Sequence, residues 1–138
     1  MLGGAAPIVT AHRGYSTAAP ENTLPAFQLA IDHHSDRAEL DVQMTRDGVV
    51  MVTHDTSLRR CTGRNENIYD LTYNEVRKLD AGRWFGQKYT GAKVPTLEEV
   101  LDLCKGKIQL NIEIKPNAAT PELEAETTVS YTHLRAHE

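Results

Sequence analysis

The spacing of apolar residues at the start of the chain predicts a strand followed by a helix. An apolar run at residues 7–11 is typical of a buried strand, and it leads directly into His12. From Leu24 to Ile31 the apolar residues recur at helical spacing, with Asn22 or Thr23 as the N-cap, and this helix is expected to run to about residue 34. The first part of the chain is therefore expected to form a β/α unit.

Two further strands are predicted around a tight turn. One begins near Ala38, and residues 49–53 form the next apolar run. Between them, residues 45–48 end in Asp-Gly, which is a strong turn signal. A turn this short breaks strict β/α alternation, and the pattern leaves open how the two strands lie relative to each other.

A polar, glycine-containing excursion follows at residues 56–94 and is interpreted as an insertion. Thr72 and Glu75 have the spacing of a capping box and predict a short helix there. Trp84 and Phe85 are expected to form the insertion's own small core rather than a substrate wall.

The last part of the pattern predicts a helix, a strand and the start of another helix. The helix follows a second capping box at Thr96 and ends near Gly106. The strand covers residues 109–115, with its apolar and polar residues alternating strictly between the two faces. A capped helical pattern then covers residues 120–128, and residues 129–138 lose the helical apolar period.

The composition of the chain mainly excludes classes of partner and location. The 138 residues suit one domain, with 40% hydrophobic and 25% charged residues. A net charge of −4 provides no basic field for nucleic acid or an anionic membrane surface. No apolar run approaches the roughly 18 residues of a membrane span, and the start lacks the pattern of a signal peptide. Two cysteines without metal or redox spacing predict a reduced, cytoplasmic setting.

Three carboxylates occur on the polar faces of two predicted strands. Glu39 and Asp41 are two residues apart and project from the same side of their strand, and Glu113 lies on the polar side of the last strand. Charges this close require a cation beside them. An all-oxygen set favours Ca²⁺ or Mg²⁺ over Zn²⁺, and both of the first two ions fit.

Cations and histidines occur at the same strand ends. Arg13 and Lys115 suit phosphate oxygens, the first as a bidentate fork and the second as a point charge. Histidine side chains ordinarily titrate near neutral pH, so His12 and His54 suit paired general acid and base roles. With a divalent cation, this set describes the cleavage of a phosphoester. Its distribution along the strand ends is typical of the face of a (β/α)₈ barrel.

Each signal has a simpler interpretation when taken alone. Glu39 with Asp41 could be a solvated strand face, His54 with Asp55 a turn, and Glu113 with Lys115 a cross-strand ion pair. The Arg59-Arg60 pair is expected to be solvated. All of these groups occur together along one chain, in sequence order at successive strand ends, and this coincidence favours the functional interpretation.

The order and spacing of these motifs resemble those of glycerophosphodiester phosphodiesterases over roughly residues 8–128. The insertion after His54-Asp55 also resembles one found in that family. The matching motifs are His12-Arg13-Gly14, Pro20-Glu21-Asn22-Thr23, Glu39-x-Asp41, His54-Asp55, Pro95-Thr96-Leu97-x-Glu99 and Glu113-x-Lys115.

This resemblance implies a TIM-barrel hydrolase that releases sn-glycerol 3-phosphate and an alcohol such as choline, ethanolamine or glycerol. It implies metal binding by Glu39, Asp41 and Glu113, and acid/base catalysis by His12 and His54. Phosphate would be held by Arg13 and Lys115, and the site would also be lined by Glu21 and Asn22. Water and a glycerol hydroxyl both remain candidate nucleophiles, and the assignment of acid and base between the histidines stays open.

A complete barrel needs about 250 residues, and this chain has about four predicted strands. We therefore expect an α/β fold that is the N-terminal half of a TIM barrel over residues 1–128, with the insertion after the third strand and a non-family tail at residues 129–138. An open half-barrel is expected to fold poorly alone or to self-associate. The alternatives are a phospholipase-type diesterase acting on lipid head groups and a non-catalytic fragment.

Overall fold

The fold is organised around a central strand, β2, in a four-stranded sheet. The computed structural model describes residues 7–135. Within them the strands and helices occur in the order β1 (Thr10–His12), α1 (Leu24–Asp32), β2 (Arg37–Met44), β3 (Val50–Val52), α2 (Arg59–Thr62), α3 (Tyr73–Arg77), α4 (Leu97–Cys104), β4 (Gln109–Ile114) and α5 (Leu123–Arg135). Two 3₁₀ turns, Ile68–Asp70 and Gln87–Tyr89, lie in the excursion between β3 and α4.

The two edges of β2 have different partners. β1 runs parallel to its first half, with His12 opposite Glu39, and β3 runs antiparallel to its second half. β4 runs parallel along the other edge and places Glu113 opposite Asp41. About four strands were predicted, and the structure adds that three are parallel while β3 belongs to a hairpin with β2.

Alternation along β2 separates a core face from a site face. The core face packs on α1 and α4, where the predicted helical stripes are confirmed by buried residues such as Phe27 and Val100. Because Glu39, Asp41 and Gln43 occupy the alternate positions, they share the opposite face. The core face of the strand is made of Ala38, Leu40, Val42 and Met44.

The excursion has a core of its own, but not the expected aromatic one. The capping box of Thr72 and Glu75 is present and begins α3 as predicted. The buried cluster is aliphatic, and the prediction that Trp84 and Phe85 form it is wrong, since Trp84 is 43% exposed. The cluster consists of Met51, Leu58, Ile68, Leu71, Val76, Ala81 and Val94.

Several predicted boundaries differ from the structure, and two of them at the start of β1 and the end of α5 are informative. β1 begins at Thr10 instead of residue 7, and Ile8 and Val9, which precede it, are 60% and 56% exposed instead of buried. The helical order expected to end near residue 128 continues to Arg135 in α5. The backbone keeps its helical hydrogen bonds there without an apolar stripe, so the loss of apolar period was a poor guide to the end of the helix. Residues 136–138 of the predicted tail lie outside the described part.

Candidate active site

The parallel register of β2 and β4 brings the three predicted metal ligands together. Each of Glu39, Asp41 and Glu113 offers an oxygen within 4.8 Å of the oxygens offered by the other two. Asp41 is 1% exposed at the bottom of this group, whereas the Glu113 side chain is 55% exposed at its rim. The group is therefore open on one side to a ligand from solvent.

Cations and an amide surround the buried carboxylate of Asp41. Arg13 Nε lies 3.7 Å from Oδ2, and Lys115 Nζ lies 3.7 Å from Oδ1. Asn22 donates a hydrogen bond from Nδ2 to Oδ2 at 3.2 Å. These contacts offset the cost of burying the charge, which is large for an unpaired carboxylate.

The loop after β1 presents Arg13 and Asn22 to Asp41 in left-handed backbone conformations. Their φ angles are +54° and +57°, which non-glycine residues adopt at a cost of order 1–3 kcal/mol. Gly14 follows with φ +77°, and a Cβ atom there would lie 2.8 Å from backbone carbon of Ala26. The glycine thus lets the loop turn tightly against α1, and the Asn22 N–H donates to the Arg13 carbonyl at 2.8 Å.

Lys115 also contacts the exposed ligand. Its Nζ donates a hydrogen bond to Glu113 Oε1 at 3.2 Å. This hydrogen bond and the charge of Lys115 hold the pKa of Glu113 below its usual range. The carboxylate is consequently kept ionised, as a metal ligand must be.

The two predicted catalytic histidines lie at the ends of β1 and β3. His12 Nε2 lies 3.1 Å from Glu39 Oε1, and its side chain is 60% exposed. His54 is half-buried, and its Nδ1 lies 2.8 Å from Asp55 Oδ1. Gln43 donates from Nε2 to the His54 carbonyl at 2.8 Å and ties the histidine backbone to β2.

Arg60 is the main residue that the sequence analysis missed. It was expected to be solvated, and its side chain is 42% exposed, but its guanidinium also hydrogen-bonds to both Glu21 and Asp55. Arg60 is the largest cause that lowers the pKa of Asp55 to about 2, and His54 adds to the effect. Partial burial works against ionisation of Glu21, but the hydrogen bonds and charge of Arg60, together with the charge of Arg13, leave its pKa lowered.

All nine predicted site residues therefore lie in one connected group. Glu21 joins it through Arg13, whose Nη1 donates to Oε2 at 3.2 Å, and Asp55 with Arg60 connects His54 to the rest. The predicted residues are His12, Arg13, Glu21, Asn22, Glu39, Asp41, His54, Glu113 and Lys115.

The donor set fits a hard divalent cation. Its ligand atoms are carboxylate oxygens, which both Ca²⁺ and Mg²⁺ prefer, and neither cysteine belongs to the group.

Among the described helices, none is both long enough and apolar enough to cross a bilayer.

Parallel strands joined by helices, with ionisable side chains collected where the strands end, define the chain as part of a β/α barrel. It belongs to the glycerophosphoryl diester phosphodiesterase family, whose sequence model matches residues 12–135. The members of this family are phosphoric diester hydrolases. The match extends past residue 128, where the resemblance was expected to end.

Sequence relatives and solved structures agree on this family. The chain is 47% identical over 109 residues to a glycerophosphodiester phosphodiesterase of Caldanaerobacter subterraneus, covering 78% of this chain and 45% of the relative. A Bacillus subtilis glycerophosphodiester phosphodiesterase is 39% identical over 131 residues, covering 89% and 45%. The chain spans about half the length of the curated relatives it matches.

Two solved structures confirm the fold. A phosphodiesterase of Oleispira antarctica, in complex with the product sn-glycerol-3-phosphate, has a TM-score of 0.84 and 37% identity, covering 94% of this chain and 52% of that one. A glycerophosphodiester phosphodiesterase of Agrobacterium tumefaciens has a TM-score of 0.82 and 36% identity, covering 91% and 52%. The predicted α/β class and the truncated TIM barrel are thus confirmed.

Proposed function

We propose that this chain carries the metal-binding and acid/base half of an enzyme that hydrolyses glycerophosphodiesters to sn-glycerol 3-phosphate and an alcohol. The observation that supports this most directly is the group of three carboxylates whose oxygens lie within 4.8 Å of one another, in a chain of this family. Two cations and His12 contact that group, and His54 lies at the end of β3 beside Asp55.

In this proposal Glu39, Asp41 and Glu113 hold one divalent cation, Ca²⁺ or Mg²⁺. The bound ion would polarise the phosphoryl group and stabilise its developing negative charge. Arg13 and Lys115 flank the same carboxylates and would direct their N–H groups to the phosphoryl oxygens. Glu21 and Asn22 orient Arg13 and Asp41 from the loop beside them.

His12 and His54 would share the proton transfers. One imidazole removes the proton of the attacking water or glycerol hydroxyl, and the other gives a proton to the departing alcohol oxygen, so that the bond to phosphorus breaks without forming a free alkoxide. Both side chains are accessible to a small substrate, His12 more so than His54. The reduced, cytoplasmic setting inferred from the cysteines remains a prediction.

The experiment that tests this proposal is the release of glycerol 3-phosphate from glycerophosphocholine by the full chain. Turnover is measured with Ca²⁺ or Mg²⁺ and then with excess chelator. Glu39→Ala removes one carboxylate of the group, and Glu124→Ala removes an exposed carboxylate of α5 as the matched control.

We expect turnover that chelator and Glu39→Ala abolish and that Glu124→Ala leaves unchanged. A folded chain that hydrolyses the substrate equally well in chelator would contradict metal dependence. A folded chain with no turnover under any condition would contradict activity of this portion by itself.

A further inference from the structure

We propose that Arg60 is a positioning residue for His54, because it clamps Asp55 in the orientation that fixes the tautomer of the imidazole. The catalytic use of that imidazole rests on the proposed function, whereas the clamp itself can be observed without substrate.

The guanidinium of Arg60 uses three nitrogens on two carboxylates. Nε donates to Asp55 Oδ2 at 2.8 Å, and Nη2 donates to Asp55 Oδ1 at 3.1 Å. On its other side Nη1 and Nη2 donate to the two oxygens of Glu21 at 2.6 and 2.9 Å. A planar fork that is bidentate on both sides fixes the rotation of each carboxylate, which a single ammonium group cannot do.

The fixed carboxylate then determines which ring nitrogen of His54 carries the proton. Asp55 Oδ1 lies 2.8 Å from His54 Nδ1, so an ionised Asp55 accepts a hydrogen bond from a protonated Nδ1. The neutral ring consequently keeps Nε2 unprotonated. Nε2 is the nitrogen that remains available to take or return a proton at the phosphoryl group.

Arg60 is itself held between two parts of the fold. Glu21 lies on the loop after β1, where it also binds Arg13, while Arg60 lies on α2 in the excursion. Trp84 supports the guanidinium from one side, with Cζ of Arg60 5.8 Å from the ring centroid. Without Arg60, Glu21 and Asp55 would be neighbouring like charges with no cation between them, and Asp55 would be free to turn away from the ring.

The test is a long-range ¹H–¹⁵N spectrum of the histidine rings in the ¹⁵N-labelled full chain, recorded above the imidazole titration without metal or substrate. His54→Gln assigns the signal. Arg60→Gln removes the clamp, Arg60→Lys keeps the charge but loses the fork, and Arg59→Gln removes the exposed neighbouring arginine as the matched control. Asp55→Asn is the reference for a reversed tautomer, since its amide can donate to Nδ1.

We expect the wild type and Arg59→Gln to show the Nδ1–H tautomer of His54, and both Arg60 variants to move toward Nε2–H. Where turnover is present, Arg60→Lys should lower kcat by about 100-fold with little change in KM. An Nε2–H tautomer in the wild type would overturn the proposal, as would an unchanged tautomer in the folded Arg60 variants. Unfolding of both Arg60 variants alongside a folded Arg59→Gln would instead show that Arg60 acts on the fold, and would also overturn it.

Discussion

Asp41 shows how single residues create the electrostatics of this site. It is almost fully buried, yet Arg13, Lys115 and Asn22 all contact its carboxylate. Such compensation lets the chain keep a negative charge inside the fold before any metal binds. It also leaves the two cations close to the position where a phosphoryl group would meet the metal.

The sequence predicted these groups because strand alternation is a local rule. Glu39 and Asp41 share a face as residues two apart on a strand do, and the same alternation extended by one step would have found Gln43. Arg60 has no such local signal. Its partner Glu21 is 39 residues away, and only the packing of the excursion against the loop after β1 brings the two together.

The loss of unfolding free energy at acidic pH should depend on the Asp55–Arg60 pair. Folding lowers the pKa of Asp55 to about 2, chiefly through the hydrogen bonds of Arg60. A carboxyl with a lowered pKa stabilises the fold above its unfolded pKa of about 3.9 and loses that contribution as the pH falls through its folded pKa. We expect Asp55→Asn to cost about 1–2 kcal/mol of unfolding free energy at neutral pH and much less near pH 2, as measured by urea denaturation.

The control for this measurement is Asp102→Asn, which changes an exposed carboxylate on α4. It should shift the unfolding free energy by no more than about 0.5 kcal/mol. A cost for Asp55→Asn that is the same at both pH values would contradict the assignment.

Individual elements were predicted well wherever local chemistry defines their ends. Both capping boxes are present, and the Asp-Gly turn joins β2 to β3 with Gly48 at φ +86°. The direction of β3 and the end of α5 were not predictable in the same way. The first depends on pairing with β2, and the second depends on a helix that lacks a clear apolar stripe.

The N-cap of α4 offers a test at the scale of an element. Thr96 Oγ1 accepts a hydrogen bond from the Glu99 N–H at 3.1 Å, and Glu99 in return binds the Thr96 N–H at 2.9 Å. We expect Thr96→Ala to lower the unfolding free energy by about 1 kcal/mol, measured by thermal or urea denaturation. Thr17→Ala, in an exposed loop, should stay within about 0.5 kcal/mol of wild type. Equal effects of the two substitutions would show that the cap contributes no more than an ordinary surface threonine.

At the scale of the whole described molecule, the sheet has two unpaired outer edges. β1 and β4 pair with opposite edges of β2. No further strand among residues 7–135 pairs with the outer edge of either one. Ile8 and Val9 are exposed beside β1. Open strand edges with adjoining apolar side chains promote pairing with other chains.

We therefore expect the chain to self-associate with increasing concentration, as measured by sedimentation velocity. The double substitution Ile8→Lys and Val9→Lys should weaken this association, because charged side chains protect an exposed edge. Asn74→Lys adds a charge at an exposed position on α3 and should leave the association unchanged. A monodisperse, cooperatively melting monomer at all concentrations would contradict this prediction.

Calorimetric titration with Ca²⁺ and Mg²⁺ measures directly whether Glu39, Asp41 and Glu113 form a divalent-cation site within half a barrel. Glu113→Gln removes an exposed ligand whose loss should leave the fold intact, and Glu124→Gln is the matched control on α5. We expect saturable binding of one ion per chain in the wild type and in Glu124→Gln, weakened about tenfold or more in Glu113→Gln, since a carboxylate ligand is lost. Equal affinity in all three folded proteins, or no saturable binding in the folded wild type, would contradict it.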